Sequence, residues 1–172
     1  MKTFIVDGYN VIRTTNAYGA VSHNDFEASA TNPARDRLIA DVAAWAQSSR
    51  AKAIVVFAGM DNPLSTGEEH QQAGVTVCFS KYGQTADSLI ESLARKAVER
   101  NEQVTVVSSD STIKWTVGVT DVFTMSSRNF MSLMGALHED QTQALEERRT
   151  HMTLGSRIDP EVAKRLSEFL RK

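Results

Sequence analysis

Carboxylates occupy three positions of this chain at which a predicted strand ends or a predicted helix begins. Asp7 follows the apolar run 3–6. Asp110 follows the apolar run 104–107 through two serines, and Asp87 lies in the first turn of a predicted helix. Hard cations such as Mg²⁺ prefer oxygen ligands, and one or two carboxylates suffice where water and substrate phosphate complete the coordination shell. The three acids therefore indicate a hard-metal site.

Each of these side chains also has a purely structural interpretation. Asp7 with Gly8 is a common turn signal, Asp110 could cap a helix, and Asp87 would be stabilised by the helix macrodipole whatever its function. Asn10 could satisfy local backbone groups, or it could orient a metal-bound water or a substrate phosphate. The position of the acids at the ends of strands favours a functional role for them.

Other catalytic groups have weaker support. The four histidines are scattered without metal-ligand spacing, and the single cysteine, Cys78, lies in an apolar run that is typical of core packing. Ser108 and Ser109 have no evident base beside them, so they are predicted to shape a turn rather than to act as nucleophiles. A metal ion that lowers the pKa of water would supply a nucleophile without a histidine base.

Apolar runs of strand length alternate with helical patterns along the chain. Such alternation predicts a doubly wound, mainly parallel five-stranded sheet with helices on its faces. The predicted strands are 3–6, 52–58, 75–79, 103–108 and 121–124. Helices are predicted to begin near Pro33, after Thr85 and near Thr112, and Gly59 to Gln72 is predicted to be a loop. If the first and fourth predicted strands are neighbours, the acids that follow them converge.

Residues 1–137 are predicted to form one domain, and residues 138–172 a helical extension packed on it. The segment from His138 to Arg149 is highly charged, and Asp159-Pro160 then opens a short helix with an apolar stripe that needs a surface to cover it.

The bulk composition is that of an ordinary globular protein, with 41% hydrophobic and 23% charged residues. The longest apolar runs are strand-sized and the N-terminus does not resemble a secretory signal, so a cytoplasmic protein with no membrane partner is expected. The net charge of −2 argues against binding nucleic acid by bulk attraction alone, although a local basic rim around an acidic site is compatible with it.

Four short motifs occur along the chain in a particular order: Asp7-Gly8-Tyr9-Asn10, Pro33-Ala34-Arg35-Asp36, Thr85-Ala86-Asp87 and Ser108-Ser109-Asp110. In order and spacing they resemble the YacP-like branch of the NYN domains, which belong to the PIN-like ribonuclease superfamily. The resemblance runs from residue 2 to about residue 137, and the closing helix also has a counterpart in YacP-like proteins.

The resemblance implies an endoribonuclease that cleaves single-stranded RNA by in-line hydrolysis with a metal-activated water. It implies that Asp7, Asp87 and Asp110 hold Mg²⁺ or Mn²⁺ and that Asn10 joins them as a catalytic residue. Relatives of this type have been linked to cleavage of messenger RNA on the ribosome, so RNA is the implied partner and the ribosome an implied context. No oligomeric state is indicated.

The chain departs from the pattern of its family at one point. NYN domains commonly place a further aspartate at the end of the second strand, where this chain has Ala58, with Asp61 three residues on. This departure motivates an alternative, a non-catalytic RNA- or ribosome-binding module that retains the scaffold. A phosphatase with Asp7 as covalent nucleophile is a third hypothesis, but the usual second acid two residues later is missing.

Substrate binding needs positive charge, because phosphate contacts carry much of the affinity of nucleic-acid binders. The basic residues near predicted element ends on the side of the acids are expected to supply it, and Tyr9 is expected to stack on a base. The candidates are Arg13, Arg35, Lys81 and Lys114, with Arg35 and Lys81 preferred for their places in or beside the motifs.

Overall fold

The computed structural model describes residues 1–15, 17–18, 33–59, 63–113 and 122–136. These residues form an α/β fold with a six-stranded sheet. The strands are β1 (Lys2–Asp7), β2 (Lys52–Phe57), β3 (Glu69–Gln72), β4 (Val75–Phe79), β5 (Gln103–Val107) and β6 (Val122–Met125). The helices are α1 (Gly8–Thr15), α2 (Pro33–Ser49) and α3 (Ala86–Glu99), and residues 127–136 are also helical.

The sheet has the order β3-β4-β2-β1-β5-β6, and every pair except β3 with β4 is parallel. The first strand and the strand leading to Asp110 are neighbours, because Val6 pairs with Val107, so the condition stated for convergence of their acids is met. The chain adds β2 on one side of β1 and β5 on the other, so the strand order reverses at β1. In open parallel sheets this is where ligands bind, beyond the carboxyl ends of the strands.

Alternate residues of β1 pack against opposite layers of helices. Ile5 belongs to a buried cluster with Ile90 and Ala94 of α3. Phe4 contacts Trp45 of α2, with ring centroids 4.6 Å apart, and Trp45 in turn lies 5.0 Å from Phe130. Since successive strand residues face opposite sides of a sheet, both faces of the central strand are covered by helices.

The prediction of a loop from Gly59 to Gln72 is wrong at its end, where Glu69–Gln72 forms β3 antiparallel to β4. The segment EHQQ is polar and carries no apolar alternation, so the sequence holds no strand signal there. Ala73 and Gly74 have φ angles of 52° and 90°, and such a left-handed pair closes a two-residue hairpin. The strand therefore exists because the turn folds its backbone against β4.

The segments around the sheet agree with the sequence where the structure describes them. Helix α2 begins at Pro33, and Thr85 is the N-cap of α3, as predicted.

The chain divides into two compact units, Met1–Gly135 and Ala136–Lys172. The predicted extension 138–172 lies outside the described residues. No helix of the described ranges combines the length and apolarity that crossing a bilayer requires.

Candidate functional site

A cleft of about 300 Å³ opens at the carboxyl ends of the central strands. It is lined by residues from the end of β1, helix α1, the end of β2, the start of α3 and the segment after β5. The described lining residues are Asp7, Tyr9, Asn10, Arg13, Thr14, Ala58, Thr85, Ala86, Asp87 and Asp110. The three acids that the sequence singled out thus line one cleft, because parallel strands end at the same edge of a sheet.

Asp7 is the buried acid of the cleft, with 8% of its surface exposed. Its Oδ1 accepts a hydrogen bond from the backbone N–H of Asn10 at 3.1 Å, and its Oδ2 accepts one from Ser108 Oγ at 3.3 Å. Burial raises the pKa of Asp7 from its ordinary 3.8 to about 6, and the charge of Asp87 adds to the rise. The two hydrogen bonds and the Arg13 guanidinium oppose it without cancelling it.

Asp87 stands in the first turn of α3, which Thr85 caps by accepting a hydrogen bond from Ser88 N at 3.2 Å. Desolvation raises the pKa of Asp87, and the negative charge of Asp110 raises it further. Asp87 therefore interacts electrostatically with the acid on each side of it, Asp7 and Asp110. A cation placed among the three would relieve this repulsion.

Asp110 is exposed, and it fulfils the capping role that was weighed against function. Its Oδ1 accepts a hydrogen bond from Thr112 N at 2.8 Å, at the start of the helical residues 111–113. The cap occupies one carboxylate oxygen. The second oxygen makes no hydrogen bond within the described part of the chain, so capping and ion binding are compatible in this side chain.

The described residues contain no group of three histidine, cysteine, aspartate or glutamate side chains arranged to hold a metal ion between them. Asp7, Asp87 and Asp110 share a cleft, but they do not form a closed cage. Mg²⁺ rarely needs one, since it keeps several waters and takes one or two carboxylates plus substrate phosphates. The all-oxygen donor set, with two members whose pKa values are raised by burial and like charge, fits a hard divalent ion in such an open shell.

The side chain of Asn10 is held by the protein through its oxygen. Oδ1 accepts hydrogen bonds from the backbone N–H of Ser109 at 2.9 Å and from Ser127 Oγ at 2.7 Å. A backbone N–H can only donate, so the amide atom that faces it must be the oxygen. The carbonyl oxygen is therefore satisfied locally, and the amide nitrogen makes no hydrogen bond to the described residues.

Two serines shape the site, and sequence reasoning assigned a site role to neither. Ser108 is 1% exposed; its Oγ donates to Asp7 and accepts from the backbone N–H of Asp110 at 3.1 Å, so it connects two of the acids. Ser127 is completely buried and follows β6. One sequence pattern could have identified these serines, namely a pair of serines directly after a strand. It occurs at Ser126-Ser127 as well as at Ser108-Ser109.

Two of the residues predicted to contact RNA, Arg13 and Tyr9, line the cleft. Arg13 lines the cleft, with its guanidinium carbon 5.7 Å from the centroid of the Tyr9 ring. Tyr9 is 6% exposed and packs edge-on against Phe57 at 5.1 Å. A stacked base needs an open ring face, which this buried ring does not offer.

Arg35 and Lys81 are not among the described residues that line the cleft. Arg35 lies over the rings of Phe57 and Phe79, 6.0 and 5.5 Å from their centroids, near the carboxyl ends of β2 and β4. Lys81 is exposed on the segment after β4. Lys114, and Asp61 as a substitute for the acid missing at Ala58, lie outside the described residues.

Comparison with known proteins gives concordant matches. The family model described as "YacP-like NYN domain" matches residues 4–171. The chain is 35% identical over 119 residues to "Uncharacterized protein YacP" of Bacillus subtilis (strain 168), a match that covers 68% of this chain and 65% of that protein. This segment is thus a little less than two thirds of the relative's length.

Solved structures extend the match over nearly the whole chain. A crystal structure of a mutant of Rae1 (YacP) from Bacillus subtilis superposes with a TM-score of 0.68 at 28% identity, covering 95% of this chain and 91% of that chain. Another crystal structure of Rae1 (YacP) from the same organism gives a TM-score of 0.66 at 26% identity, covering 99% of this chain and 95% of that chain.

Proposed function

Because this chain belongs to the YacP-like NYN domain family, within the PIN-like nuclease superfamily, we propose that it is a metal-dependent endoribonuclease that cleaves single-stranded RNA. The observation that carries the proposal is the cleft in which Asp7, Asp87 and Asp110 meet from three separate segments of the chain. Family membership supports nuclease activity, and the acidic cleft supports the proposal that the reaction would occur there.

Asp7, Asp87 and Asp110 would hold Mg²⁺ or Mn²⁺. When bound, the ion would neutralise charge on the scissile phosphate and activate the attacking water for in-line displacement. The side chains of the protein prepare this site in advance. Burial and mutual repulsion make the ionised acids costly in the absence of a cation, and that cost favours cation binding.

The remaining groups orient the acids and the substrate. The hydroxyl of Ser108 bonds both Asp7 Oδ2 and the backbone N–H of Asp110. It therefore fixes the position of one acid relative to the other, although they follow different strands. Arg13, the one basic residue among the described lining residues, would contact a phosphate. Arg35 and Lys81, outside the lining, would contact phosphates further along the RNA.

The test is cleavage of a short unstructured RNA by Asp7→Asn and Asp110→Asn in Mg²⁺ or Mn²⁺. Each variant should lose on the order of a hundredfold in cleavage rate, the effect of removing one electrostatic group from an active site. Asp36→Asn is the matched control, because Asp36 is an exposed acid in the first turn of α2 and lies outside the cleft. Cleavage at the wild-type rate by both cleft variants, with folding intact, would refute the mechanism.

Messenger RNA on the ribosome is the proposed physiological context, and it rests on family resemblance. Its test compares the same message free and on a stalled ribosome under identical ionic conditions. Faster cleavage of the ribosome-bound message would support this context. Equal rates would leave an endoribonuclease that acts on free RNA.

A non-catalytic RNA-binding module is the second candidate, and two observations favour it. Ala58 contributes a methyl group to the cleft where NYN domains commonly carry an acid, and the described residues form no three-ligand metal group. This candidate predicts RNA binding that EDTA leaves intact, together with no cleavage in Mg²⁺ or Mn²⁺.

A further inference from the structure

We propose that Ser127 is a positioning residue that holds the amide of Asn10 so that Asn10 Nδ2 donates a hydrogen bond to a phosphate oxygen of RNA in the cleft. The proposal rests on the endoribonuclease function proposed above. Of the roles that the sequence left open for Asn10, it selects the contact with substrate phosphate and assigns that contact to the amide nitrogen, and it adds a residue from the far edge of the sheet to the site.

The hydrogen bonds to Asn10 fix the orientation of its amide. The carbonyl oxygen has two lone pairs, and the donors at 2.9 and 2.7 Å, Ser109 N and Ser127 Oγ, occupy both. Rotation of the amide would set its NH₂ group against the backbone N–H of Ser109 and leave that donor without an acceptor. Oδ1 and Nδ2 lie on opposite sides of a planar group, so Nδ2 is the atom left to face the cleft that Asn10 lines.

Asn10 Nδ2 makes no hydrogen bond to any other part of the chain that the structure describes. An amide NH₂ is a neutral donor, so it can meet an anionic oxygen without competing with a cation for the carboxylates. The cleft needs such a donor. Its described lining carries three acids and one basic residue. Because the acids repel phosphate, phosphate oxygens need hydrogen-bond donors in order to bind there.

Ser127 is itself firmly placed. It is 0% exposed, and its backbone N–H donates to Ser109 Oγ at 3.1 Å, which joins the start of the helical residues 127–136 to the segment after β5. Three residues further on, Phe130 is buried against Phe4 and Trp45. The hydroxyl that holds Asn10 is thus anchored in the core, which is what a positioning residue requires.

Asn10→Asp separates the donor role from a role as metal ligand. The variant keeps an oxygen toward Ser109 and Ser127 but replaces Nδ2 with a second oxygen. If Asn10 donates to phosphate, cleavage falls by about a hundredfold, while the affinity of the protein alone for Mn²⁺ is unchanged or tighter. If Asn10 serves as a metal ligand through oxygen, Asn10→Asp retains cleavage, and that result overturns the proposal.

Ser127→Ala tests the positioning role, with Ser126→Ala as its matched control. Ser126 caps the same helical segment by accepting a hydrogen bond from Asn129 N at 3.2 Å, and its side chain makes no hydrogen bond to Asn10. Both variants lose a hydrogen bond at one helix start, so a comparable fall in melting temperature is expected. Ser127→Ala alone should lower kcat, by roughly three- to tenfold, with KM for RNA unchanged.

The outcomes separate this inference from the function on which it rests. Equal kcat values for Ser127→Ala and Ser126→Ala overturn the positioning role while cleavage by the wild type upholds the endoribonuclease. Absence of cleavage by the wild type in Mg²⁺ and in Mn²⁺ overturns the endoribonuclease, and the inference with it.

Discussion

Ser108 Oγ donates a hydrogen bond to Asp7 Oδ2 at 3.3 Å, although the two residues are 101 positions apart in the chain. The same hydroxyl accepts the backbone N–H of Asp110, so one small side chain connects the acids that follow β1 and β5. Both contacts are buried or half-buried. Burial, together with the like charge of a neighbouring acid, raises the pKa of Asp7 and of Asp87, and the dependence of stability on pH should reveal this.

The cation-free protein should lose stability as the pH rises through the pKa of Asp7. Its folded pKa of about 6 lies above its ordinary 3.8, so the folded state binds this proton more tightly than the unfolded state does. The resulting stabilisation is present at low pH and disappears as the carboxylate ionises. The free energy of unfolding in EDTA should therefore fall by up to about 3 kcal/mol between about pH 4 and about pH 7.

The measurement is a series of urea denaturation curves at different pH values, for the wild type and for Asp7→Asn. The variant cannot ionise at this position, so its stability should exceed that of the wild type at neutral pH by an amount that shrinks toward low pH. Asp36→Asn, at an exposed acid, should follow the wild type. Parallel pH curves for the wild type and Asp7→Asn would show that the pKa of Asp7 is not raised in the folded protein.

Ala58→Asp should tighten the binding of Mn²⁺, because it adds an oxygen ligand to the cleft where NYN domains commonly have one. A roughly tenfold lower Kd is expected from one further carboxylate, and in EDTA the extra like charge should lower the melting temperature. Isothermal titration calorimetry measures the first effect. Ala44→Asp, on an exposed position of α2, is the control; the same gain in that variant would mean that the ion senses only net charge.

Gly8→Ala should destabilise the protein although alanine is the better helix former. A Cβ at this position would lie 2.3 Å from a ring carbon of Phe57, which is completely buried and cannot move aside. Overpacking of this kind costs about 1–3 kcal/mol. Thermal and urea denaturation measure the loss.

Gly135→Ala is the matched control for Gly8→Ala. Gly135 is also helical, but an added Cβ there meets no atom of the described residues within 4 Å. The substitution should stabilise the protein slightly, by up to about 1 kcal/mol, because alanine loses less backbone entropy in a helix. Equal effects of the two substitutions would contradict close packing of Gly8 on Phe57.

Ala73→Asn should stabilise the hairpin between β3 and β4. Ala73 has a φ of 52°, a left-handed conformation that asparagine adopts more readily than alanine, and Gly74 follows it. A gain of about 0.5 kcal/mol is expected, whereas Ala73→Val should destabilise because a β-branched side chain resists this conformation. If both variants change the urea midpoint in the same direction, the turn does not have this geometry.

Most of the fold follows from local patterns of residues in the sequence. The near-continuous apolar runs of β1 and β2 indicate strands covered on both faces, and Thr85 marks the start of α3; the structure agrees with both. The strand β3 was missed because its four polar residues carry no periodicity. It becomes a strand only through the left-handed turn and the neighbouring backbone of β4.

The sequence by itself determined which acids stand at the ends of strands, because the periods of strands and helices and the signals of helix caps are local. Convergence of Asp7 and Asp110 required in addition that β1 and β5 be neighbours, which the structure shows. Only the tertiary structure decided how Asn10 is oriented. Its partners Ser109 and Ser127 are 99 and 117 positions away, and the direction of an amide depends on donors brought by other elements, for which the local sequence has no signature.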